Sequence, residues 1–236
     1  MKILKVLAGI VGLIALAAGG FATFVATRSM PHYPSEKIDL KVVSSPDRVA
    51  RGKKLASMLC AGCHANPATG RLTGSDMHID NPFGRVYSFN ITQHPTAGIG
   101  AWSDGEIAFL LRTGIARDGR YTPPWMAKLP HLSDEDLASV ISFLHSDDPS
   151  VQPSDIASIP SQPSFFSKFL TTVAFKPLPY PKAPIPQPGT DPVALGRYLA
   201  VNLDCYTCHS EDFSKLDAME SETCGEWTRT EPIRGS

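Results

Sequence analysis

Five consecutive residues, Cys60-Ala61-Gly62-Cys63-His64, carry the first chemistry visible in the chain. Two thiols three positions apart, followed at once by an imidazole, form the pattern of covalent c-type haem attachment. Thiols one helical turn apart reach the two vinyl edges of the macrocycle and add across them as thioethers. His64 then sits under the iron as its proximal ligand. The pattern returns at Cys205-Tyr206-Thr207-Cys208-His209. The sequence therefore predicts two covalently attached haem c groups, one on Cys60 and Cys63 with His64, the other on Cys205 and Cys208 with His209. Cys and His also ligate zinc, but clusters starting at positions 60 and 205 have no finger spacing. The remaining cysteine, Cys224, leaves a disulfide scaffold a poor reading.

An iron held by one His takes a second axial ligand or keeps an open position. Met126 is the best candidate for the first iron. It follows His64 at a distance that lets the chain circle the ring edge. Its loop, Tyr121-Thr122-Pro123-Pro124-Trp125-Met126, is stiffened by prolines that fix their own φ and restrict their predecessors. A thioether ligand raises the reduction potential, as in electron carriers. The competing role is that of a flexible core filler. The rival ligands are Met58, Met77, His78, His94 and His131, of which Met58 is expected to face the core. For the second iron Met219 lies too close to His209, and Cys224 is a weak thiolate candidate.

The elements that must position these groups are legible in order. Lys2 and Lys5 precede an uncharged apolar run from Val6 to Val25, about 20 residues and enough to cross a roughly 30 Å hydrocarbon core. Residues 1–28 read as an uncleaved anchor, or alternatively as a cleaved signal; either delivers the rest outside the cytoplasm, with the N-terminal lysines staying inside. Residues 29–46 read as a polar tether, 47–147 as one complete domain, 148–190 as a Pro-rich linker, and 191–236 as a second domain that stops early. With a net charge of −1 over 236 residues, no field suggests nucleic acid.

Within the first domain, Gly52 is a poor interior helix residue. It is expected to mark a close crossing with Leu137 to Leu144, whose Leu137, Val140, Ile141 and Leu144 form one apolar face. Ser133 and Asp136 read as a capping box for that helix. Ser103 and Glu106 open another helix that stops at Gly114, and Arg117 to Arg120 read as a turn. In the linker an apolar island, Phe165 to Phe175, is expected to clip onto the first domain or a partner. Pro192 starts a helix in which Gly196 stands before Cys205 much as Gly52 stands before Cys60, an internal repeat.

Asp47 to Ser146 resembles the class I cytochrome c domain, with its Gly-bearing first helix, CAGCH, Pro-rich Met loop and SDEDL terminal helix. The run Asn90-Ile91-Thr92 with Thr96 to Asp104 is similar to membrane-associated multihaem cytochromes c, including the cytochrome subunits of periplasmic alcohol and sugar dehydrogenases. The resemblance implies an all-α fold, with Trp102 packed near the haem and Asn90 near a propionate. It also implies electron transfer from a partner dehydrogenase towards quinone or an oxidase. Two departures stand out: Met126 follows Pro-Trp instead of preceding such a pair, and the second copy has an entrance without a closing helix.

The expected protein is a membrane-anchored dihaem electron carrier with no substrate of its own. Its anchor would lie in the inner (cytoplasmic) membrane and its haem domains on the periplasmic side. Its partners would be a dehydrogenase, a quinol-oxidising complex or a terminal oxidase. The alternative is a haem enzyme of dihaem peroxidase type with an open-sided second haem, against which no acid/base set stands beside the second motif.

Overall fold

The structure is a computed structural model that describes residues 2–77, 82–122, 125–203 and 205. Helix α1, Lys2–Thr27, runs about 39 Å at 1.5 Å per residue. Its side chains are exposed along nearly the whole length, Val25 near its end being the buried exception.

Helix α2, Pro46–Leu59, starts where Ser45 accepts a bond from the Arg48 N–H at 3.2 Å and Pro46 supplies a preset φ. A break at Cys60 separates it from a single turn, α3, Ala61–His64. Helix α4, Asp104–Thr113, opens with a reciprocal capping box between Ser103 and Glu106 and closes at Gly114 with φ 81°, as its sequence signals require. Helix α5, Asp134–Leu144, buries its apolar face against α2. Gly52 is the crossing point. A Cβ placed there would lie 1.9 Å from the Ser139 carbonyl oxygen and 2.9 Å from Phe143 Cβ, so only hydrogen fits.

The fold is mostly helical with one short β pair among the described residues, and three other expectations need correction. Strands β1, Gly84–Arg85, and β2, Gln162–Pro163, pair antiparallel because the extended Pro-rich segment runs past the loop and exchanges backbone bonds with it. The capping box of α5 is one-sided. Ser133 caps the Asp136 N–H, but the Asp136 carboxylate turns to Arg51 and Tyr198. Residues 29–46 are a laced strap, since the Tyr33 N–H donates to Gly119 O (2.8 Å), Val42 N–H donates to Asp104 (2.8 Å), and Ile38 O fills the space beside Gly105. Met58 is 53% exposed and does not face the core.

The apolar island is helix α6, Phe165–Val173, lying against α1 and the β1 loop. Helix α7, Pro192–Asn202, is capped by Asp191, as its Pro and Asp signal. A methyl group placed at Gly196 would meet nothing within 4 Å, unlike one at Gly52. Cys205 is exposed. Cys208, His209, Met219, Cys224 and His78 lie outside the described residues.

Candidate haem-binding site

The turn Cys60 to His64 is held by its own backbone and by two flanking loops. The His64 N–H donates to Cys60 O at 2.8 Å, which sets the imidazole directly beyond the second thiol. The Ser75 and Ser88 hydroxyls both donate to Cys63 O, at 2.8 and 2.6 Å, and the Gly74 N–H donates to His64 O at 2.9 Å. Gly74 has φ 86°, and a Cβ there would lie 2.4 Å from Ser88 O, so glycine permits this close approach.

His64 is fixed in tautomer as well as place. Its Nδ1 lies 2.7 Å from Phe89 O, and a carbonyl can only accept, so Nδ1 carries the proton and Nε2 keeps its lone pair. Burial lowers the His64 pKa, against the opposing effect of the Phe89 bond, and favours the neutral ring that a metal needs. Burial, with Cys63 adding to it, pushes the Cys60 thiol up to about 12; burial also raises Cys63.

Cys60, Cys63 and His64 open into one cavity of about 290 Å³. Met126 and Trp102 line the same cavity, with Ile99, Leu111, Val140 and Leu144 among its apolar walls. The donor set fits haem c: two thiols on one turn, an oriented neutral imidazole, a thioether and an apolar surround. The fold thus brings together five of the site residues expected from sequence. Trp102 is further covered by the Arg117 guanidinium, 5.3 Å from its ring centroid.

Asn90 is not brought to the cavity. Its amide donates to Ser154 O (2.9 Å) and Ile156 O (2.8 Å), and its Oδ1 accepts from the Thr92 N–H (2.9 Å). It pins the start of the linker onto the first domain, and a propionate contact is not what this geometry provides. Of the rival ligands, His94 is spent on a turn, accepting from the Ala97 N–H at 3.0 Å, and His131 is exposed. Met77 does line the cavity.

Sequence reasoning missed several contributors. Phe89 acts through its carbonyl, which no side-chain pattern signals. Met30 reaches the cavity because the strap folds back over it. Arg120 lines the cavity with its guanidinium 4.5 Å from the Phe89 ring centroid, and a basic residue beside a Gly turn was its one visible cue.

Residues 49–147 match the family model "Cytochrome c". The chain is similar to the cytochrome c subunit of alcohol dehydrogenase (quinone) of Gluconacetobacter polyoxogenes, 33% identical over 156 residues, which are 64% of this chain and 33% of the relative. It is similar to the fructose dehydrogenase cytochrome subunit of Gluconobacter japonicus, 31% identical over 175 residues, 69% of this chain and 34% of the relative. It is also similar to a diheme cytochrome c-type protein of Cereibacter sphaeroides, 30% identical over 161 residues, 64% of this chain and 53% of the relative. The chain thus spans a third of the length of the two dehydrogenase subunits and about half of the third relative.

Proposed function

With residues 49–147 forming a domain of the cytochrome c family, we propose that the chain is a membrane-anchored dihaem electron carrier serving a dehydrogenase on the periplasmic side of the inner membrane. The observation that carries this reading is the convergence of Cys60, Cys63, His64 and Met126 on one apolar cavity. Haem c held there supplies a one-electron iron couple. Cys60 and Cys63 would anchor it through thioethers. His64 presents Nε2, held in direction by the Phe89 carbonyl. Met126, on the wall of the same cavity, would offer its thioether sulfur to the iron, and Trp102 with the aliphatic wall would keep water away. Arg120 offers a cation to carboxylates at the cavity. A second haem belongs to Cys205, Cys208 and His209.

The dehydrogenase partner is supported by the relatives, two of which are cytochrome subunits of alcohol and fructose dehydrogenases. The anchor is α1, whose 26 residues have length and composition enough to cross a membrane. The test is a pyridine haemochrome count on the full-length protein after acid–acetone extraction. Two covalent haems per chain are expected, falling to one in Cys208→Ala and to one in Cys63→Ala. A count of one in the unaltered protein removes the second haem; a count of zero removes the proposal.

A further inference from the structure

Helix α6 is built inside out for a helix on a water-facing surface. Its polar residues face the protein: Ser167 and Thr171, one turn apart, are 0% and 1% exposed. The Ser167 hydroxyl donates to Phe83 O at 2.7 Å, and Thr171 donates back to Ser167 O. Its large apolar residues face outward. Phe165 is 49% exposed, Phe166 42% and Val173 50%, and Phe175 just beyond the helix adds a further ring. Phe165, Phe166 and Val173 share one face of the helix and form an apolar patch that water alone does not favour.

The position of α6 along α1 says what covers that patch. Phe21 of α1 meets Phe169 edge-on at 6.2 Å, and Phe165 stacks on Phe169 at 6.4 Å. Lys168 donates to Ala26 O at 2.9 Å, and Arg28 donates to the Thr172 hydroxyl at 3.2 Å. From Lys5 to Val25 α1 rises about 30 Å, the thickness of the hydrocarbon core. A helix that packs on Phe21 and the last turn of α1 therefore sits at the level where acyl chains meet headgroups. The local charge agrees with this. Between Asp155 and Asp191 the chain carries Lys168, Lys176 and Lys182 and no Asp or Glu, which suits an anionic phospholipid surface.

We propose that α6 is a second, interfacial membrane anchor, lying in the plane of the bilayer with Phe165, Phe166, Phe169 and Val173 at the acyl–headgroup boundary. This rests on the reading of α1 as a transmembrane anchor and extends it. Phe166 packs on Phe83 at 5.6 Å, and Phe83 packs on cavity-lining Trp125 at 6.2 Å. The interfacial helix thus fixes which edge of the haem domain faces the membrane, and that edge is the one beside the Met126 loop.

The test is photolabelling of the full-length holoprotein in phosphatidylcholine–phosphatidylglycerol vesicles carrying a diazirine-acyl phospholipid, read by peptide mass spectrometry. Labelling of the 165–175 peptide is expected on the order of tenfold above that of the α5 peptide, alongside labelling of α1. The double variant Phe165→Ser, Phe166→Ser should lose most of the 165–175 label and retain both the α1 label and the haem spectrum. A labelled α1 with 165–175 at the α5 level overturns the inference and leaves the anchor standing, with the face then belonging to a protein surface. Labelling of neither segment overturns the anchor reading and this inference with it.

Discussion

His64 and Met126 are not equally determined by their surroundings. His64 is held at both ends, by the Cys60 backbone and by the Phe89 carbonyl, so ring direction and tautomer are fixed before any metal arrives. Met126 is held by position in its loop, and two other thioethers, Met30 and Met77, line the same cavity. The long-wavelength charge-transfer band of thioether–iron(III) ligation discriminates among them. Met126→Ala should abolish that band and lower the reduction potential of one haem by roughly 0.1–0.3 V, a modest share of the range that axial ligands command. A band that persists in Met126→Ala moves the ligand to Met30 or Met77, and the corresponding single variants then identify which.

Two glycines in repeated helices give a contrast at the level of elements. Gly52 of α2 lies against the α5 backbone, and the nearest obstacle to a methyl group is a carbonyl that cannot swing away. Gly52→Ala should therefore cost at least about 2–3 kcal/mol in denaturant unfolding. Gly196 of α7 has open space around it, so Gly196→Ala should gain about 0.5–1 kcal/mol from helix propensity alone. Equal destabilisation by both variants would show that the repeat extends to the packing. The same pair shows what could be read in the chain. The crossing at Gly52, the Ser103–Glu106 cap, the Gly114 stop and four of the cavity residues, Cys60, Cys63, His64 and Met126, follow from local signals of period, cap and motif; Trp102 follows from the family resemblance. The strap over Met30, the β1–β2 pair and the role of Asn90 do not. Each depends on which backbone carbonyl lies nearby after folding, and a side-chain pattern carries no record of that. Asp136 misled for the same reason: its spacing from Ser133 is that of a capping partner, but burial beside Arg51 and Tyr198 gives its charge better company.

That buried carboxylate is also what ties the two halves of the chain together. Asp136, with a fully buried side chain, is paired with Arg51 of α2 and accepts from the Tyr198 hydroxyl of α7 at 2.6 Å and from Gln187 of the linker at 3.2 Å. Beside it the Ser133 N–H donates to the Tyr198 oxygen at 2.9 Å, and Asp134 exchanges bonds with the Ile185 backbone. The second CxxCH segment thus begins from a helix docked on the first domain, not from a free linker. Burial first, then the bond to Asp136, push the Tyr198 phenol up to about 12. A phenol whose folded pKa lies above its ordinary value of about 10 favours folding in its neutral form. Its contribution is therefore complete below about pH 10 and is lost as pH rises through 12. Partial exposure of the ring reduces that contribution to about 1 kcal/mol. Tyr198→Phe should be less stable than the unaltered protein by about that amount at pH 8, and the difference should close as pH approaches 12. Tyr121, also raised to about 12, is common to both proteins and cancels in the comparison. A difference that stays constant across this range would mean that the Tyr198 hydroxyl does not lock α7 to the first domain.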